Sequence, residues 1–229
     1  PISSVLQLSL KSLGIGPGDE VIIPDITFVA TANAVLSTGA TPVLADVYED
    51  DINLSLKSIK SSITSKTKAV IPVHFAGKSC NMRKIMTIAK KNNLKIIEDC
   101  AHSLGTYFEK QHVGTFGDTG CFSFYPTKNL TTFEGGMITC NSKSISNYLQ
   151  KARNHGIDKS LRDRFTKGYP WEFDIETFGY NYRLDEIRSA LGNNQLKRLK
   201  KMNQERRIAA KYYDSKLQDL NGIILPSQK

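Results

Sequence analysis

The chain has 229 residues, 40% of them hydrophobic, enough for at least one substantial core and for one or two domains. No stretch approaches the roughly 18 to 20 unbroken apolar residues that a membrane span needs, and no basic start leads into an apolar run, so neither a membrane nor a secretory leader is expected. A formal net charge of +9 favours anionic partners without choosing among phosphates, nucleic acid and acidic lipid.

In chain order, an amphipathic segment after Pro1 gives way to β-rich runs alternating with helical patterns. Strands are predicted over residues 20–24, 41–46, 69–74, 94–99, 120–125 and 137–140, and helices over 31–36, 54–63, 82–92 and 145–153. This alternation predicts an α/β domain with a mainly parallel sheet, and the near-continuous apolar strands predict cover on both faces. Residues 154–182 break the rhythm with a loop rich in charge and aromatics, of a length that is often functional. Helical segments resume from residue 184. There Leu196, Leu199, Met202, Ile208 and Tyr212 form an apolar stripe, so the neighbouring Lys197, Arg198, Lys200, Lys201, Arg206, Arg207 and Lys211 read as the solvated face of a packed helix rather than a nucleic-acid surface. Residues 223–225 read as the start of a further strand, and both ends of the chain read as cut.

Cys80, Cys100, Cys121 and Cys140 have no metal-ligand spacing and need no disulfide framework, so a reducing cytoplasm is the simplest compartment and no metal is expected. Cys100 with His102 offers two zinc ligands, which is too few. Ala76-Gly-Lys-Ser79 copies the end of a phosphate-binding P-loop, but Pro72 stands where its first glycine belongs.

Two segments carry chemistry. The apolar strand 94–99 ends in Asp99, with His102 three residues on, and ligand groups in open α/β sheets gather at the carboxyl ends of strands. Further along, a strand runs into a turn holding Lys128, followed by Gly135 and Gly136. A lysine attacks a carbonyl only as the neutral amine, so a catalytic one needs surroundings that lower its pKa. By themselves these residues also fit plainer roles: a strand-end aspartate often caps a helix, and a lone lysine is usually a surface charge.

The motifs taken together are more specific. Pro17-Gly-Asp-Glu-Val-Ile-Ile-Pro24, Thr27-Phe-Val-Ala-Thr-Ala-Asn33, Glu98-Asp-Cys-Ala-His102, Ser123-Phe-Tyr-Pro-Thr-Lys128-Asn129, Glu134-Gly-Gly136 and Gly179-Tyr-Asn-Tyr-Arg-Leu184 occur in the order found in the DegT/DnrJ/EryC1/StrS sugar aminotransferases, which almost the whole chain resembles. These are pyridoxal 5′-phosphate (PLP) enzymes of fold type I. The resemblance implies a three-layer αβα large domain over residues 1–182 with a mainly parallel mixed sheet, and a helical connection over 183–229 into a smaller C-terminal domain. It makes Lys128 the Schiff-base lysine, Asp99 the partner of the pyridinium nitrogen and His102 the contact on the 3′-oxygen side of the ring. Phe28 would stack on the ring, Ser123 would bind the phosphate by its hydroxyl, and Ser3 and Ser4 would meet it through backbone amides. Asn181 matches an asparagine that reaches the neighbouring subunit's phosphate, which implies a homodimer with shared active sites. Arg153, His155, Trp171, Tyr182 and Arg183 lie in or beside the loop where the family binds sugar and pyrophosphate.

The implied reaction is a ping-pong transfer of an amino group from glutamate to a keto-deoxysugar linked to a nucleoside diphosphate, at C4, as in pathways to surface glycans. Two rivals remain: a non-catalytic PLP-binding regulatory or scaffold module of the same fold, and an inactive truncated fragment. The dehydratase branch of the superfamily carries histidine at the Schiff-base position, against which Lys128 argues.

Overall fold

A computed structural model of the chain describes residues 1–159, 161–166 and 169–226. Ser160, Lys167 and Gly168 of the expected 154–182 loop, and residues 227–229 of the C-terminal segment, lie outside the described residues.

The elements in order are α1 (Ile2–Ser12), β1 (Glu20–Pro24), α2 (Ala30–Leu36), β2 (Thr41–Ala45), α3 (Leu56–Ser61), β3 (Thr67–Val70), a 3-10 turn (Phe75–Gly77), α4 (Met82–Lys91), β4 (Lys95–Asp99), β5 (Tyr107–Phe108), β6 (Gln111–His112), β7 (Thr119–Ser123), β8 (Gly136–Thr139), α5 (Lys143–Ala152), α6 (Leu161–Thr166) and α7 (Glu186–Leu217). Six strands form one sheet in the order β2-β1-β3-β4-β7-β8, parallel except for β8, which runs antiparallel to β7. Helix starts are set locally: Ser55, Asn81, Ser142 and Asp185 each accept a backbone N–H of the first turn, of α3, α4, α5 and α7 respectively.

Strand alternation sorts the core into two layers. Val21, Ile23, Ala69, Ile71 and Ile97 face α1 and α2, where they meet Leu6, Leu10 and Val35. Ile22, Val70 and Ile96 face the other way onto α3 and α4, against Ile59, Met82 and Ile85. On the first face, α5 packs beside α1 through Leu8, Leu149 and Ala152. This is the three-layer α/β architecture with a mainly parallel mixed sheet that the sequence predicts.

Several details differ from the sequence expectation. The predicted strand 69–74 keeps its ladder only over Thr67–Val70; Pro72 has no amide to donate, and beyond it Val73 bridges to Asp99 alone. The β5–β6 hairpin has no signature in the sequence, because strands of two residues carry no periodicity; its turn uses Glu109 at a φ of +52°. Residues 223–225 join no ladder, and Ile224 is exposed. In α7, Leu199 packs beside the cluster of Cys100, Val113, Phe122 and Phe124, whereas Leu196, Ile208 and Tyr212 of the expected stripe are exposed.

The segment 154–182 is pinned at its two ends. Asn154 bridges to Asn181 and Ile157 to Ile175, while Tyr180 N–H donates to Ala152 C=O at 2.7 Å and Tyr182 N–H to Arg153 C=O at 2.9 Å. Gly156 and Gly179 make this closeness possible: a Cβ on either would sit inside the backbone of the other arm. Among the described residues no helix is long and apolar enough to cross a membrane.

Candidate active site

The carboxyl ends of the parallel strands converge on one region. Asp99 closes β4 and Ser123 closes the adjacent β7, in a register that pairs Asp99 with Cys121. From the end of β1 the chain passes Thr27 and Phe28 before entering α2.

Asp99 is only 4% exposed. Its Oδ1 accepts Ala101 N–H at 3.0 Å and its Oδ2 accepts the Thr31 hydroxyl at 3.1 Å. Burial pushes its carboxyl above the usual aspartate range; those two hydrogen bonds and the positive charge of Lys128 work against that rise. Lys128 follows β7 in a turn closed by its own N–H donating to Tyr125 C=O at 3.0 Å. It is half-buried, and desolvation lowers its pKa while the Asp99 charge opposes the fall. Burial also lowers the pKa of His102, and the Lys128 ammonium lowers it further. Of the three expected catalytic side chains, Lys128 thus lies within electrostatic reach of both Asp99 and His102.

Two polar atoms beside them are buried without a hydrogen-bond partner among the described residues, Ser123 Oγ and His102 Nδ1. Such atoms are costly unless something satisfies them. Phe28 leaves 69% of its surface exposed at the head of α2. Ser3 and Ser4 are in the first turn of α1, exposed and half-buried respectively, where unpaired amides and the helix dipole favour an anion. A buried carboxylate, a lysine shifted toward its neutral form, an unsatisfied hydroxyl, an anion-seeking helix start and an uncovered ring are the set that a flat, cationic, phosphorylated heterocycle needs. The residues present therefore fit PLP.

The other expected residues gather elsewhere. Arg153, Asn181, Tyr182 and Arg183 line a cavity of about 450 Å³ that also reaches Ser4 and Gly136. In it Arg183 Nε donates to Asn181 Oδ1 at 2.8 Å, and the Tyr182 hydroxyl donates to Gln7 Oε1 at 2.9 Å. The Tyr182 ring stacks on Tyr180, with centroids 4.8 Å apart. His155 is exposed at a φ of +60° and is not in the cavity wall, and Trp171 stacks on Tyr169.

Three features of the site go beyond the sequence expectation. Thr31 holds Asp99; it lies within the 27–33 motif, but nothing in that motif points to Asp99 as its partner. Asn203, buried on α7, donates to Leu104 C=O at 3.1 Å and accepts from Asn129 Nδ2 at 3.1 Å, so one amide ties the turn after His102 to the turn after Lys128. Glu98 and His74 form a buried pair at 3.1 Å; a glutamate inside an apolar strand was the available signal.

Glu98 and His74 lie close to Cys100, and their ligand-type atoms fall within 4.8 Å of one another. Their hydrogen bonds are already committed. His74 Nδ1 accepts Cys80 N–H at 3.0 Å, which makes Nε2 the N–H that donates to Glu98. Glu98 also accepts the amides of Gly114, Phe116 and Gly117 at 2.7 to 2.8 Å. The trio braces loop 114–117 against β4. The P-loop look-alike is likewise structural, with Lys78 paired to Asp51 at 3.6 Å.

Comparison with known proteins bears on the family and the fold. The family model for the DegT/DnrJ/EryC1/StrS aminotransferase family matches residues 3–229. The spore coat polysaccharide biosynthesis protein SpsC of Bacillus subtilis (strain 168) is 40% identical over 224 residues, which are 98% of this chain and 58% of SpsC. The UDP-N-acetyl-3-dehydro-alpha-D-glucosamine 3-aminotransferase of Acidithiobacillus ferrooxidans is 41% identical over 221 residues, 96% of this chain and 56% of that protein. The crystal structure of S. venezuelae DesV in complex with a ketimine intermediate superposes with a TM-score of 0.90 at 36% identity, covering 100% of this chain and 58% of DesV. The chain thus spans less than three fifths of the length of these relatives.

Proposed function

The chain belongs to the DegT/DnrJ/EryC1/StrS aminotransferase family, and on that premise we propose that it forms the PLP-binding part of an enzyme that transfers an amino group from glutamate to a nucleotide-linked keto-deoxysugar. The observation that carries the proposal is the arrangement at the strand ends: a buried Asp99 closing β4, held by Thr31 and Ala101, beside β7, which ends in the unpartnered Ser123 hydroxyl and leads into the turn of Lys128.

PLP, when bound, supplies a protonated pyridine ring that accepts the electron pair released as a donor's α-C–H bond breaks. The rest falls to the chain's own side chains. Asp99, anionic and out of water, holds the proton at the ring nitrogen. Lys128 Nζ, shifted toward the neutral amine, serves as nucleophile and then takes and returns a proton. His102 offers Nδ1 toward the ring's oxygen, Phe28 covers one face, and the Ser123 hydroxyl with the amides of Ser3 and Ser4 grips the phosphate. Arg153, His155, Tyr182 and Arg183 meet the sugar and the diphosphate, to which the basic balance is suited.

In this reading residues 1–182 are the cofactor-binding domain and 183–229 lead into a smaller one. The protein works in the cytoplasm as a homodimer in which Asn181 reaches the partner's phosphate. C4 is the carbon aminated, for a product used in surface glycans. A relative named for a 3-aminotransferase supports a second reading, amination at C3.

The test is made on the full-length protein. Borohydride reduction should add the mass of one reduced cofactor, located by peptide mapping to Lys128; attachment at any other residue refutes the assignment. Lys128→Ala should lower transamination by about 10³-fold or more, and NMR of the aminated sugar decides between C4 and C3.

A further inference from the structure

Thr31 is buried in the first turn of α2, with 1% of its surface exposed. A threonine in a helix usually turns its hydroxyl back to a carbonyl one turn earlier. This one instead donates to Asp99 Oδ2, 68 residues away, at 3.1 Å. The Thr27 hydroxyl lies 3.2 Å from that of Thr31.

The direction of this chain follows from counting protons. An ionised carboxylate has none to give, so the single hydroxyl proton of Thr31 points at Asp99. The proton between the two threonines must therefore come from Thr27. Successive bonds of this kind polarise one another, which strengthens the last of them. Because Oδ1 is already held by Ala101 N–H, the two restraints together set the plane of the carboxylate. The five residues from Thr27 to Thr31 also carry Phe28, so a single short segment presents the exposed ring and fixes the acid.

We propose that Thr31, with Thr27 donating to it, is a positioning residue of the reaction: it orients the Asp99 carboxylate and keeps it anionic toward the cationic ring nitrogen. The inference rests on the PLP reading above, and it adds a requirement on which the family resemblance is silent. The hydroxyl bond is one of the forces that hold the Asp99 proton affinity down against burial.

The test uses full-length protein as wild type, Thr31→Val, Thr31→Ser and Thr27→Val. Carboxyl NMR follows the titration of Asp99 without cofactor, and equilibrium dialysis gives PLP affinity. The groups that share the field of Asp99, namely Lys128, His74, Cys100 and Cys121, are the same in every variant, so differences belong to the hydroxyls. A hydrogen bond to a charged group is worth enough that Thr31→Val should raise the Asp99 midpoint by about one pH unit and weaken PLP binding roughly tenfold. Thr31→Ser should restore both, and Thr27→Val should move both the same way by less. A folded Thr31→Val with wild-type titration and affinity overturns the proposal. Should Thr31→Val fail to fold, unchanged values in Thr27→Val overturn it instead. Borohydride labelling of the wild type separates the two levels. Labelling at Lys128 with an unmoved Asp99 titration removes this inference alone, and no labelling removes the PLP reading and this inference with it.

Discussion

Glu98 and Asp99 are neighbours on β4, yet the fold moves their protons in opposite directions. Burial pushes Glu98 up, but the His74 hydrogen bond and the amides of Gly117 and Gly114 outweigh it and hold the carboxyl below its usual range. Asp99, on the other face, has fewer donors, and burial wins. Glu98 binds its proton less tightly folded than unfolded, so it stabilises above the ordinary glutamate value of about 4.3 and that contribution is lost as pH falls through its folded pKa. Asp99 binds its proton more tightly folded, so stability declines as pH rises from the unfolded value of about 3.9 to its raised folded value. Asp99→Asn should therefore raise the Tm of the cofactor-free protein at neutral pH while slowing transamination, and the Tm gain should shrink in acid; calorimetry across pH checks this. The Asp99 charge also raises the Lys128 pKa against desolvation. In cofactor-free protein an amine-directed acylating reagent should modify Lys128 at lower pH than exposed lysines, and at lower pH still in Asp99→Asn. An unmoved labelling midpoint would show the two side chains to be uncoupled.

At the scale of elements, the site depends on loops that α7 and the glycines hold in place. Phe133, between Lys128 and the glycine pair, is 67% exposed with a φ of +63°, a conformation that a bulky side chain resists. Phe133→Gly should raise stability by up to about 1 kcal/mol in denaturant unfolding. Asn203 is the firmer link, because its amide satisfies Leu104 C=O and Asn129 together. Asn203→Ala leaves both unpaired and should cost about 2 kcal/mol. It should also lower kcat, since both the Lys128 and the His102 turns lose their brace; a loss of stability with kcat intact would make Asn203 purely structural. Gly105 belongs to the same arrangement, for a Cβ there would meet Asn203 Nδ2 at 2.7 Å.

For the whole molecule, the distribution of site residues matters most. Asp99 and Ser123 end adjacent strands, with Lys128 in the turn after β7, whereas Asn181, Tyr182 and Arg183 line a cavity that reaches Ser4 at the start of α1. In the proposed homodimer, each copy would lend Asn181 to the cofactor phosphate of the other. Lys128→Ala and Asn181→Ala, each inactive or nearly so, should regain part of the activity when co-expressed, because one of the two sites in a mixed dimer then has both residues intact. If co-expression restores nothing although mixed dimers form, Asn181 acts within its own subunit.

Fold class and the six strands of the main sheet were legible in the sequence, and so was the placing of Asp99 at a strand end; the proposed roles of His102, Ser123 and Lys128 come from the family resemblance. Alternating helical and apolar strand periods are local properties, and strand ends are where an α/β sheet must expose its functional groups. Tertiary structure alone decided that Thr31 donates to Asp99, that Asn203 joins the turn after His102 to the turn after Lys128, and that His74 pairs with Glu98 rather than standing free. The physical reason is common to all three. A hydrogen bond between residues 24 to 99 positions apart leaves no trace in the spacing of either partner, because it arises only when the sheet brings two loops or faces together.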